Sequence, residues 1–441
     1  MKQNEFTGAR DEIRLMTLNP GHFHAALVQK SMMEQVHPVV HIYAPEGPDV
    51  TLHEERMQRY NTRPDNPTRW ELKTYTGPDY LKRMIDERPG NVMITAGNNR
   101  LKTEYIKRTV DAGINVLSDK PMAIDKDGWK KLVEAFELAD RRGVLLYDIM
   151  PERKEITCEL QRSLARNKEL FGSLKQGTPD DPAIVKESVH HLFKMVSGYP
   201  LQRPPWYFDV KQQGEGIVDV TIHLVDLVFW GAFPDQIVDY KSDVQMLDAD
   251  RWPTKLSLKQ YEKITGQSEF PDFLHDQVTD GVLPYYCNGD ILFTANGIHS
   301  RVCVKWDYQA PEGGGDTHFS TMRGTQTELV IRQGKEQNYK ATLYVECAPE
   351  TKKKSVENAF KQEMDRLQKE LPGISYKEND KGWELSIPDK YYLGHETHYQ
   401  TIAREFYEFL VSGQLPHWEV PNMISRYYVT TQAREIALNK G

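Results

Sequence analysis

The feature that most constrains this chain is an alternation of short apolar runs with longer amphipathic segments between residues 13 and 148. The runs at 13–18, 39–43, 92–96, 114–117 and 144–147 are strand-sized and bounded by polar turns. Strands joined by helical crossovers bury both faces only in a parallel sheet covered by helices on both sides. One crossover is fully marked: Asp125 stands where a cap is needed, Trp129, Leu132, Val133 and Phe136 recur at helical spacing, and Gly143 closes the segment. The sequence therefore predicts a doubly wound α/β domain over residues 10–150.

After residue 150 the pattern changes. A helix is expected at 156–165, followed by a Pro/Trp/Tyr-rich stretch at 203–208, a strongly apolar helix at 217–230 and then a series of strands. Asn288-Gly289, between runs at 283–287 and 291–295, predicts a hairpin with a type I′ turn, because both residues tolerate positive φ. Runs at 298–308, 318–323, 328–332 and 342–347 continue the series, and helices return at 356–370, 396–411 and 423–439. Residues 151–441 are thus expected to form an α+β domain on an open, mostly antiparallel sheet, with the last helix packing back on one of the two domains.

Composition narrows the function classes. At 441 residues, 39% hydrophobic and 27% charged, the chain is long enough for two cores. A net charge of −8 with no long basic block argues against nucleic acid as a partner. The four cysteines, Cys158, Cys287, Cys303 and Cys347, lie far apart, which predicts neither a disulfide framework nor a zinc knuckle. No metal site is expected. No run of about 18 apolar residues exists, so no membrane span is predicted. The expected location is cytoplasmic, or periplasmic if an export signal preceded the polar first ten residues.

The turn after the first run reads Asn19-Pro20-Gly21-His22-Phe23, with one glycine where a dinucleotide-binding turn carries several. These five residues are nonetheless the candidate cofactor contacts of that turn, and Glu46, beyond the second run, is the candidate for the ribose. Gly97 and Asn98 follow the third run at the edge where ligands of open parallel sheets bind; Asn98 or Asn99 also suits a helix cap at 102. The fourth run leads into Asp119-Lys120-Pro121. A lysine there can hold a hydroxyl and stabilise an alkoxide.

The helix expected at 217–230 is apolar nearly all round except for Asp219, His223 and Asp226, which share one stripe. Burying these groups without partners costs several kcal/mol, so the stripe should face a cleft or a partner network.

Ser118-Asp-Lys-Pro121, followed by Gly214-Glu-Gly216-Ile-Val-Asp219-Val-Thr-Ile-His223-Leu-Val-Asp226, resembles the glucose-fructose oxidoreductase / inositol dehydrogenase (Gfo/Idh/MocA) family. Members typically show Glu-Lys-Pro and a Gly-Gly-Gly-x-x-x-Asp-x-x-x-His-x-x-Asp segment. The resemblance implies a Rossmann domain followed by the substrate domain, with NAD or NADP as cofactor, NAD slightly favoured and tight retention left open. It implies that Lys120 contacts cofactor and substrate, that Asp219 orients, and that His223 accepts a proton. Asp119 is expected beside the cofactor. The chain departs from the family in its poor glycine turn, in Asp for Glu before Lys120, and in added material at 240–277.

Candidate substrate contacts are Glu152, Arg153, His190, His191, Lys194, Trp206 and Asp226, since carboxylates and imidazoles beside aromatics suit a sugar's hydroxyl edges and apolar faces. The expected activity is oxidation of a secondary hydroxyl of a sugar, glycoside or polyol, in a homo-oligomer built through the second domain's sheet. The alternatives are an enzyme that retains its nicotinamide and cleaves or isomerises a glycoside through a keto sugar, a metal hydrolase using His190, His191, His223 and Asp226, and a non-catalytic sugar-binding protein.

Overall fold

The computed structural model describes residues 5–196 and 199–440. Its first compact unit comprises the chain up to Pro151 together with Trp206–Gly214 and Gly394–Tyr427. Six parallel strands form its sheet in the order β3-β2-β1-β4-β5-β6. They are β1 (Leu15–Leu18), β2 (Val39–Ala44), β3 (Glu71–Thr76), β4 (Val92–Thr95), β5 (Asn115–Asp119) and β6 (Leu146–Ile149). Each of the five apolar runs became a strand. The sixth, β3, carries no apolar run because it is an edge strand, mostly exposed, with Glu71, Lys73 and Thr74 facing water. The strand order reverses between β1 and β4, the point where ligands of such sheets bind.

The crossover helices are α1 (His24–Leu27), α2 (Pro48–Thr62), α3 (Tyr80–Glu87), α4 (Lys102–Asp111) and α5 (Lys126–Arg142). Helix α5 starts as expected: the Asp125 carboxylate accepts the Gly128 backbone N–H at 2.7 Å, and Gly143 ends the helix at φ 65°. The cap expected from Asn98 or Asn99 is not made. The N-cap of α4 is Leu101, and the two asparagines turn toward the 206–214 segment instead. There Asn98 donates to the Gln212 side chain and Asn99 to the Gln213 carbonyl, both at 2.7 Å.

The second unit comprises Glu152–Pro205, Glu215–Leu393 and the chain from Tyr428 onward. After α6 (Ile156–Ala165) come β7 (Ile184–Phe193), the short pair β8 (Met195–Val196) and β9 (Tyr199–Pro200), and β10 (Val244–Ser257). The sheet continues with β11 (Val282–Ala295), β12 (Ile298–Gln309), β13 (Thr317–Arg323), β14 (Thr327–Gln333), β15 (Thr342–Cys347), β16 (Ser375–Asn379) and β17 (Gly382–Ser386). Nine strands pair in the order β10-β11-β12-β7-β13-β14-β15-β17-β16, antiparallel except for β7 with β12. The added material at 240–277 supplies the edge strand β10 and the helix α9 (Leu258–Thr265).

Asn288-Gly289 is not a turn: both residues lie inside β11, opposite Trp252 and Arg251 of β10. The buried Asn288 side chain bonds the Trp252 carbonyl, the Thr254 hydroxyl and the Trp306 backbone N–H, ties that a strand-end turn would not provide. A Cβ on Gly289 would lie 2.6 Å from that of Ile217, so glycine serves close packing at this position. The hairpin turn is the next Asn-Gly, Asn296-Gly297, at φ 50° and 76°.

The apolar helix also differs from its expected bounds. It begins later than 217, as α8 (Thr221–Ala232), and Asp219 lies in the turns that precede it. Those turns are pinned where a Cβ on Gly216 would fall 1.7 Å from the Cys287 carbonyl oxygen. The remaining helices are α7 (Val210–Gln213), α10 (Lys353–Glu370), α11 (His395–Ser412) and α12 (Glu419–Asn439).

Two measurements test this packing. Gly289→Ala should lower the denaturant midpoint by an amount corresponding to about 1–3 kcal/mol, the usual cost of overpacking. His53 of α2 is fully buried, with no hydrogen-bond partner for either ring nitrogen among the described residues, and burial with the nearby Arg56 charge pushes its pKa down to about 3. The unfolded chain binds this proton below about pH 6.5 and the folded chain does not, so stability should fall as pH drops from about 6.5 toward 3. His53→Leu should flatten that part of the stability profile.

Candidate active site

In the first unit the turns after β1 and β4 touch. The His22 backbone N–H donates to the Ala96 carbonyl at 3.0 Å, and a Cβ on Gly97 would lie 2.3 Å from the Asn19 carbonyl oxygen. Asn19 adopts φ 50°, and its side chain donates to the Tyr105 hydroxyl at 3.4 Å. Pro20, Gly21 and Phe23 share this turn, which the rings of His22, Phe23 and His24 pack together. Glu46 is exposed in the turn after β2.

The acid beside Gly21 is Asp49, half-buried in the first turn of α2, which accepts the Trp206 indole N–H at 2.8 Å. Burial raises the Asp49 pKa, against the opposing effect of that hydrogen bond. Trp206, expected at the substrate, thus belongs to the first unit, its ring 3.1 Å from where a Gly21 Cβ would stand. Asp119 ends β5 and is buried against His24, and Lys120 follows it at a cis peptide bond to Pro121.

In the second unit, one pocket of about 130 Å³ gathers several of the expected residues. Its floor is a cross-strand row: Ser188 of β7 stands opposite His318 of β13, which stands opposite Gln333 of β14. His190 lies two residues from Ser188, hence on the same face; its ring nitrogen is 3.0 Å from the Ser188 hydroxyl and its ring packs on Trp306. The other wall comes from α8 and its preceding turn, where Val220, His223, Leu224 and Leu227 recur at i, i+3, i+4 and i+7. Glu152 and Glu155 close the side.

A residue the sequence reading missed organises the rim. Asp316, after Gly313-Gly314-Gly315, lies 2.8 Å from the His191 ring nitrogen, 2.9 Å from the Lys194 ammonium and 3.6 Å from His190. Its burial works against the charge, but the neighbouring His190 and the Lys194 ammonium outweigh it and hold the carboxyl well below its usual range. Burial, with the charges of Lys186 and His190, pushes His318 down to about 3, so it stays neutral at ordinary pH. Glu155 caps α6 through the backbone N–H groups of Thr157 and Cys158, yet burial raises its pKa. The triple glycine before Asp316 was the available signal; Ser188, His318 and Gln333 become visible only through strand register.

Arg153 and Asp226 form a buried two-pronged pair, with Nε and Nη2 donating at 2.7 and 2.6 Å. Asp226 is therefore committed to Arg153, and His223 is the member of the expected stripe that lines the pocket. Asp219 lies buried one turn before His223.

A family described as "Putative oxidoreductase C terminal domain" matches residues 160–438. The chain belongs to the Gfo/Idh/MocA oxidoreductase family. A solved "putative oxidoreductase" of Parabacteroides merdae is 52% identical, covering 99% of this chain and all of that one, with a TM-score of 0.97. Levoglucosan dehydrogenase, in complex with NADH and L-sorbose, is 13% identical over 97% of both chains (TM-score 0.62). A 3-ketoreductase from Actinomadura kijaniata, in complex with TDP-benzene and NADP, is also 13% identical, covering 96% of this chain and 97% of that one (TM-score 0.57). The last two likenesses are of fold. No curated protein matches the chain. No helix among the described residues is long and apolar enough to cross a membrane.

The pair that holds α8 is testable. Asp226→Ala should cost about 3–5 kcal/mol in unfolding experiments, since it deprives a buried guanidinium of its carboxylate. Replacing both partners, as Arg153→Met with Asp226→Leu, should recover much of that loss.

Proposed function

We propose that this protein is a nicotinamide-dependent oxidoreductase that oxidises a secondary hydroxyl of a sugar, glycoside or polyol. The observation that carries the reading is the pocket below α8. It sets His223 beside hydroxyl-binding groups, Ser188, His190, Gln333 and Glu152, and beside the apolar Leu224 and Leu227. A sugar ring presents the matching surfaces, hydroxyl edges and apolar faces.

A nicotinamide bound at the carboxyl edge of the parallel sheet supplies the hydride acceptor. The first unit fits such a cofactor through side chains more than through glycines. Asp49, a half-buried carboxylate at the start of α2, suits a ribose diol and disfavours a 2′-phosphate, which makes NAD the first choice over NADP. Asn98 and Lys120, beyond the β4 and β5 ends, supply further polar contacts.

In this reading His223 accepts the proton of the reacting hydroxyl, since an imidazole titrates near neutrality. Asp219 orients it, and the Lys120 ammonium stabilises the developing alkoxide. The Asp316 cluster fixes the remaining hydroxyls, with His191 and Lys194 holding the carboxylate in place.

A screen of sugars and glycosides with NAD and NADP, followed by absorbance of the reduced nicotinamide, tests the substrate, the cofactor and the direction together. Running it with and without added nucleotide separates an exchanging cofactor from one that the enzyme retains. On the substrate found, His223→Ala should reduce kcat by about a hundredfold or more while nucleotide binding persists, and Lys120→Ala should weaken both. Full turnover by His223→Ala would exclude the assignment.

A further inference from the structure

The turn after β1 carries two imidazoles, and both point at one carboxylate. His24 Nδ1 lies 3.0 Å and His22 Nδ1 3.9 Å from the same Asp119 oxygen, Oδ2. One ligand atom from each of the three residues falls within 4.8 Å of the others. Tyr399 of α11 stands beside them, its hydroxyl 2.5 Å from His24 Nδ1 and 3.4 Å from Asp119 Oδ1. Asp119 is 3% exposed and His24 6%, whereas the His22 ring reaches the edge of the cluster at 17%. His22 Nδ1 also receives the His24 backbone N–H in a long 3.4 Å contact, a role open only to a ring nitrogen whose lone pair is free of a proton.

We propose that His22, His24 and Asp119 form a site for a divalent transition metal of the zinc class, with Tyr399 beside it. Two imidazole nitrogens and a carboxylate oxygen converge on one point, and a divalent cation can engage all three. Zinc–ligand distances of about 2.1 Å at tetrahedral angles place ligand atoms about 3.4 Å apart, and the observed 3.0 and 3.9 Å bracket that spacing. Two imidazoles and a carboxylate, without thiolate, form a nitrogen–oxygen donor set suited to zinc, cobalt or iron in the divalent state.

The spacing of the cysteines gave no sign of this site, which contains no thiolate. Here one ligand comes from a strand about a hundred residues downstream of the other two, so only the β1-β4-β5 order assembles the set. The site also gives this turn a use for side chains where a dinucleotide-binding turn has glycines. The inference does not depend on the proposed activity, since metal is read on the protein alone.

The full-length protein, stripped with chelator and desalted, would be titrated with Co²⁺ while its visible d–d absorption is followed, and with Zn²⁺ by calorimetry. One equivalent should bind, with the intense visible bands of a low-coordinate cobalt site, and should raise the thermal midpoint. His22→Ala, at the edge of the cluster, and Asp119→Asn should each weaken binding by about tenfold or more. Metal-free His22→Ala should melt where the metal-free parent does, which separates lost ligation from lost fold. His299→Ala, far along the sequence in β12, should bind as the parent does. Absence of stoichiometric binding, or one equivalent that survives both His22→Ala and Asp119→Asn, would overturn the proposal.

Discussion

A helix as apolar as α8 can be buried on the nine-stranded sheet only if its ionisable residues are neutralised, and the Arg153–Asp226 pair meets that condition. The two-pronged geometry leaves the guanidinium and the carboxylate facing each other, which ties the segment before α6 to the middle of α8. With Asp226 held this way, the polar stripe of the helix divides into a structural half and a half that opens on the pocket. His223 belongs to the second, together with the apolar side chains at i+1 and i+4.

The same logic governs the sheet. Period-two alternation along β7 places Ser188 and His190 on the helix side, and register across β13 and β14 lines up His318 and Gln333 with Ser188. Asp316 then collects His191 and Lys194 from the end of β7. A carboxylate held ionised, a histidine held neutral and a partly buried glutamate held toward its acid form give the pocket three distinct protonation behaviours, set by what surrounds each group.

In the first unit the parallel sheet was legible because each central strand is buried on both faces and so must be apolar throughout. The edge strand β3 escaped for the opposite reason: it is mostly exposed and has no such run. The Asn-Gly rule failed at Asn288-Gly289 and held at Asn296-Gly297, although the two dipeptides are identical. At the first, the neighbouring β10 and Ile217 set the conformation; at the second, the backbone is free to take positive φ.

By itself the sequence determined the fold class, the paired Lys120 and Asp219-to-His223 motifs and the family they imply, because these depend on local periodicity and short spacings. Only the tertiary structure decided which groups meet. It drew Asp226 into an ion pair, brought Asp316 to His191, set Trp206 on Asp49, and closed His22, His24, Asp119 and Tyr399 on one point. Each of those contacts joins residues tens to hundreds of positions apart, and strand order, register and burial, which set such distances, leave no mark in a local pattern.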